Sequence, residues 1–142
     1  MAKILKFTQD ADYYFNKGVE YKEQGNFVDA IDSFYTVIKL EPKNPYNYVE
    51  LGYAYTDAQL YREGADAFLK ALALDKNIEA VYIGLMQCFS ELGNIDLGFY
   101  YFKLGVENGV VEEDSLDEIV EVVENKNPRL RLYDDLAGET IV

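Results

Sequence analysis

The chain has 142 residues, 49% of them hydrophobic, and a formal net charge of −13 from 13 basic and 26 acidic side chains. It is long and apolar enough for a globular core, and too acidic to favour phosphate backbones or anionic lipid as partners. A single cysteine, Cys88, and no histidine exclude an internal disulfide, a Cys/His zinc site and any Ser-His or Cys-His catalytic pair.

Residues 1–10 form an N-terminal segment that includes the basic, apolar stretch KILKF. From there the spacing of Tyr14, Gly18 and Tyr21 predicts one helix, and that of Ala30, Phe34 and Val37 predicts a second. Between them, QGNF is turn chemistry: Gly25 supplies a permissive backbone and Asn26 a cap for the second helix. EPKNP closes the unit, because Pro42 cannot continue a helix while Pro45 can begin one.

The same pattern returns at a spacing of 34 residues. Tyr14, Tyr48 and Tyr82 align, as do Gly18, Gly52 and Met86, then Tyr21, Tyr55 and Phe89, then Phe34, Phe68 and Phe102. This divides the chain into units at 11–44, 45–78 and 79–110, the last departing from the pattern at Met86, Gly98, Gly105 and Asn108. One hairpin cannot bury its apolar face alone, so neighbouring units must stack, with small residues at the close approaches and aromatics, the recurrent tyrosines included, filling the core. Residues 111–126 place Leu116, Ile119, Val120 and Val123 on one helical face behind an acidic start. That helix either covers the edge of the third unit or opens a fourth, and Pro128 ends it. The tail, 127–142, reads as a boundary inside a longer chain.

Tyr14, Gly18, Tyr21, Ala30, Phe34 and Pro42, with their counterparts in the next two units, make the chain resemble the tetratricopeptide repeat family over roughly residues 11–110. The resemblance implies an all-α fold, a right-handed α-solenoid of three helix hairpins plus a C-terminal capping helix. It also implies that the first helix of each unit lines a concave wall. The slots facing that wall are Asp12, Phe15, Asn16, Val19, Lys22 and Glu23 in the first unit. Tyr46, Val49, Glu50, Tyr53, Thr56 and Asp57 follow in the second, and Ala80, Ile83, Gly84, Gln87, Ser90 and Glu91 in the third.

No chemistry is expected of these residues. Cys88 falls on an interior slot where the second unit has Ala54, and the carboxylates show no calcium-loop spacing. The glycines mark helix contacts and corners rather than a phosphate cradle, so neither an enzyme nor a cofactor is expected. No apolar run reaches signal-peptide or membrane-span length, and no Asn-x-Ser/Thr sequon occurs, which suits a cytoplasmic protein with no membrane or nucleic-acid partner.

The expected function is protein–protein interaction through a partner-binding groove of Phe15, Val19, Tyr46, Val49, Glu50, Tyr53, Asp57, Ile83 and Gln87. Five acids and one lysine in the slots, with apolar residues between them, fit a peptide or helix with apolar anchors and positive charge. In the subclass that binds Hsp70 and Hsp90 tails, Lys, Asn and Arg clamp the terminal carboxylate. The matching slots here are Phe15, Val19, Glu50, Ala80 and Gly84, which disfavours such a tail. Other readings are open at this point. The groove could hold the chain's own KILKF or a second copy. The chain could be a chaperone similar to those of type III secretion translocators, or the scaffolding part of a larger enzyme or sensor.

Overall fold

The computed structural model describes residues 10–126, so the N-terminal KILKF, Pro128 and the tail lie outside the described residues. Among those described there are seven helices and no strand. They are α1 (Ala11–Glu23), α2 (Phe27–Leu40), α3 (Pro45–Asp57), α4 (Tyr61–Leu74), α5 (Glu79–Glu91), α6 (Ile95–Glu107) and α7 (Ser115–Lys126). The helices pair as hairpins, α1 with α2, α3 with α4 and α5 with α6. They group into two compact units, one ending at Lys76 and the other beginning at Asn77.

The corner inside each hairpin is built the same way. Asn26 N–H donates to Tyr21 O, Leu60 N–H to Tyr55 O and Asn94 N–H to Phe89 O, each at 2.8 Å. This closure needs a left-handed residue just before the donor. Gly25 (φ +74°) and Gly93 (φ +82°) supply it without strain, whereas the middle hairpin uses Gln59 (φ +62°). The next residue opens the following helix. Asn26 Oδ1 accepts from Asp29 N–H at 3.4 Å and Asn94 Oδ1 from Leu97 N–H at 3.3 Å, while Leu60 offers no side-chain cap. Pro45 starts α3 as expected, with Asn44 Oδ1 accepting from Tyr46 N–H.

In the first unit each hairpin closes around a phenylalanine seated on a glycine. A Cβ added at Gly18 would stand 2.7 Å from the Phe34 ring, and one at Gly52 2.8 Å from the Phe68 ring. Both rings are fully buried, each contributing about 1.5–3 kcal/mol by leaving water. α2 also packs on α3, where Phe34 and Ile38 meet Leu51 and Ala54 in a shared core.

In the second unit the small residues change helix. Met86 occupies the glycine slot and is fully buried, and the space reappears on α6. A Cβ at Gly98 would lie 3.0 Å from Met86 O, and one at Gly105 2.8 Å from Tyr82 Cγ and 2.6 Å from Val111 Cγ2. The departures of this hairpin are therefore compensating. Asn108, also off-pattern, donates from Nδ2 to Tyr82 OH at 3.1 Å. Gly105 lets α6 close over the Tyr82 ring, which is fully buried. Tyr14 and Tyr48 correct the expectation that all three tyrosines are core, for both are only half-buried. Val37 and Ala71 stand in the slot that Gly105 fills, and neither opens room for a ring. Cys88 is buried, as expected of a packing thiol.

Candidate functional site

In the first unit, α1 presents Phe15, Val19 and Lys22 at three- and four-residue intervals, and α3 presents Glu50, Tyr53 and Asp57 likewise. Each set therefore shares one side of its helix. Phe15 is half-buried and meets the central Phe34 edge-on, ring centroids 5.9 Å apart. Val19 beside it packs on the same core. Tyr53 repeats the arrangement on α3, edge-on to Phe68 at 5.6 Å. These aromatics rest on the two buried phenylalanines and keep part of their surface in solvent.

Lys22 joins the two helices. Its Nζ lies 3.2 Å from Glu50 Oε2 and 5.4 Å above the Tyr53 ring, and the Lys22 and Glu50 side chains are each only 24% exposed. Ion pair and cation–π contact act together in a partly desolvated place, where they are screened less than on an open surface. The lysine of these faces is thus already engaged, and so is Glu50. Asp12 and Glu23 on α1 and Asp57 on α3 remain exposed, so the face keeps its negative character.

The other expected residues are less uniform. Tyr46 is 58% exposed at the start of α3. Val49 corrects the expectation of a groove contact: it is 4% exposed, drawn into the core by its place next to the buried helix seam, and offers no surface. Thr56 is likewise buried, donating from Oγ1 to Gly52 O at 2.7 Å. In the second unit Ile83 and Gln87 are half-buried at i and i+4 on α5, while Gly84 and Ser90 are buried. The structure therefore joins Glu50 and Tyr53 to Lys22, seats Phe15 and Val19 on the core of the same unit, and places Ile83 and Gln87 in the other.

A second polar cluster lies between α2, α3 and α4, around a hollow of about 110 Å3. There the Tyr35 and Tyr55 hydroxyls are 2.8 Å apart. Burial, then the Tyr35 hydrogen bond and the nearby carboxylates of Glu63 and Asp32, push the Tyr55 phenol well above its ordinary value. Among the described residues no group of His, Cys, Asp and Glu is arranged to hold a metal ion, and no helix is long and apolar enough to cross a membrane.

Residues 11–44, the α1–α2 hairpin with its closing turn, match the family model for the tetratricopeptide repeat. Among solved structures the chain is similar to the tetratricopeptide domain of Sgt2 from Aspergillus fumigatus. The TM-score is 0.71 at 18% identity over 84% of this chain and 80% of that one. It is also similar to the Arabidopsis OM64 tetratricopeptide domain, with TM-score 0.70 and 19% identity over 87% of this chain and 95% of that one. Residues 11–44 thus form a tetratricopeptide repeat, and the chain has the tetratricopeptide fold. A third tetratricopeptide structure, the first such domain of Spaghetti (RPAP3) bound to the HSP90 peptide SRMEEVD, has TM-score 0.70 at 19% identity over 82% of this chain and 93% of that one. No curated protein matches the sequence. At these identities the neighbours establish the tetratricopeptide fold, all-α as expected, and leave the ligand to the chain's own residues.

Sequence reasoning placed Lys22 on the wall of the tetratricopeptide array but missed its partner. The signal was available: slots 22 and 50 fall on consecutive first helices, and they carry opposite charges.

Proposed function

We propose that the chain is a non-catalytic interaction module that binds a protein segment with apolar anchors and positive charge along the faces of α1 and α3. One observation carries the reading. Phe15 and Tyr53 stay half-exposed on rigid supports while Glu50 holds Lys22 at 3.2 Å, so among the described residues the faces offer aromatic surface and the exposed carboxylates of Asp12, Glu23 and Asp57, with Lys22 already engaged. A cationic segment meets Asp12, Glu23 and Asp57, and its apolar side chains find surface already ordered by Phe34 and Phe68, which lowers the entropic cost of binding.

The HSP90 peptide bound by the RPAP3 domain, SRMEEVD, is rich in carboxylates. Such a ligand would need Lys22 to leave Glu50, which favours the cationic class here. Ile83 and Gln87, on α5 of the second unit, are proposed as partner contacts of that unit by itself.

The test is a paired capture from cell extract with wild-type chain and the Phe15→Ala/Tyr53→Ala double variant as baits, read by mass spectrometry. Helical content would be matched beforehand by circular dichroism. A partner held by the first bait and lost from the second supports the reading. Identical captures by both baits contradict it.

A further inference from the structure

A face elsewhere in the molecule is incompletely covered, and the chain's own repetition shows what belongs on it. Shifted by two repeats of 34, Ile31, Phe34 and Ile38 of α2 become Phe99, Phe102 and Val106 of α6. In the first unit, α3 seals this face: Phe34 is fully buried and Ile38 is 8% exposed. By the same shift, α3 (Pro45–Asp57) maps to residues 113–125, almost the span of α7, with Tyr48 replaced by Leu116. In sequence register α7 is thus the first helix of a further repeat.

In space it does not close the seam. α7 packs on α5, burying Val120, and leaves a cleft of about 260 Å3 against α6. Phe99, Phe102, Val106 and Leu116 line it, the last two only half-buried. The connection explains the gap. After α2 and α4 the chain leaves through a residue of strongly negative φ, Glu41 (φ −133°, ψ 70°) and the extended Asp75 (φ −152°, ψ 116°). After α6 it makes the tight corner otherwise reserved for the inside of a hairpin. Gly109 has φ +72°, Val110 N–H donates to Gly105 O at 2.9 Å, and Val111 is tucked in beside Gly105.

Charge identifies the occupant. Glu107 and Glu113 line the cleft, and among the described residues Lys103 is the one cation lining it with them. From Glu107 to Glu118 the chain has six acids and no basic residue. An apolar seam shaped to receive a helix, bordered by carboxylates, is complementary to one class of ligand.

We propose that the α6–α7 cleft is a second docking surface and that it takes a basic amphipathic helix of another protein. An aliphatic or aromatic anchor lies against Phe102, Val106 and Leu116, and its lysines or arginines meet Glu107 and Glu113. The proposal is independent of the α1–α3 reading and uses none of its residues.

The test uses the full chain and a fluorescein-labelled 16-residue amphipathic helix of leucine and lysine, followed by anisotropy. The expected result is saturable binding that weakens about tenfold in Glu107→Lys/Glu113→Lys. Both residues are exposed, so that variant should fold. Val106→Phe, which fills the cleft without adding charge, should weaken binding comparably. A control of matched charge, Asp32→Lys/Asp66→Lys, should bind as wild type does. Equal weakening by both charge reversals, equal binding of a scrambled peptide, or no binding to wild type would overturn the proposal. Two results would assign the cleft to another occupant and equally overturn it. One is binding seen only after Arg129→Glu/Arg131→Glu, which points to the chain's own tail. The other is a dimer that dissociates on Glu107→Lys/Glu113→Lys.

Discussion

Lys22 and Glu50, 28 positions apart, form a part-buried ion pair of 3.2 Å that ties α1 to α3. Removing either partner leaves the other charge half-desolvated, so Lys22→Met and Glu50→Gln should each cost about 1 kcal/mol. Together they should cost less than their sum, because the double variant leaves no orphan charge. A urea-denaturation double-mutant cycle should show coupling of about 0.5–1.5 kcal/mol, smaller at 1 M salt. Strict additivity would show that the pair contributes nothing to joining the helices.

Gly52→Ala would place a methyl group 2.8 Å from the Phe68 ring, and Gly18→Ala one 2.7 Å from Phe34. Neither ring can retreat from a fully buried position, so each variant should lose about 1–3 kcal/mol. Phe68→Leu removes the ring atoms that collide, and Gly52→Ala/Phe68→Leu should be more stable than the two single effects predict. Denaturation midpoints for the four proteins check this.

The middle corner holds two correctable residues. Gln59 occupies the left-handed position filled by Gly25 and Gly93 in the sister hairpins, and Leu60 the cap position filled by Asn26 and Asn94. Leu60 already has the backbone of those caps, φ −94° and ψ 71°. Gln59→Gly should relieve up to about 1 kcal/mol of strain, and Leu60→Asn should add about 1 kcal/mol through a new side-chain cap. Thermal unfolding should show both changes raising Tm. A fall in Tm for Leu60→Asn would show that the leucine packs in a way that outweighs the cap.

Tyr55 titrates late because burial and the Tyr35 hydroxyl favour its neutral form, and burial also raises Tyr101. A phenol whose folded value exceeds its unfolded value of 10.0 keeps its proton after the unfolded chain has lost one. The stabilisation is complete below that pH and declines as pH rises above it. Ultraviolet titration of phenolate should therefore show a late-ionising component above pH 10 that shrinks in Tyr55→Phe, and folding stability should depend less steeply on pH in that variant.

Much of the fold was legible because the chain states it three times. Gly25 with Asn26, Pro45, and the recurrence of Phe34, Phe68 and Phe102 are local signals of turn, start and core, and a spacing of 34 separates them from chance. What stayed hidden depends on packing across helices. Val49 has the periodicity of a wall residue, and only the helix seam beside it shows that it is covered. Met86, Gly98 and Gly105 read singly as decay of the pattern, yet in space they are one exchange of volume between α5 and α6. The α6–α7 cleft could not be read at all, since α7 keeps the register of a repeat and departs from its position. That departure lies in the corner at Gly109.

The most direct test of the central claim, that the α1 and α3 faces bind the partner, is nuclear magnetic resonance. Labelled chain would be titrated with the partner segment that the paired capture identifies, and backbone shift changes mapped by residue. The account predicts the largest changes at Phe15, Val19, Lys22, Glu50 and Tyr53, together with loss of the Lys22–Glu50 coupling as cationic side chains arrive. Changes confined to α2 and α4, or to α6 and α7, would contradict it.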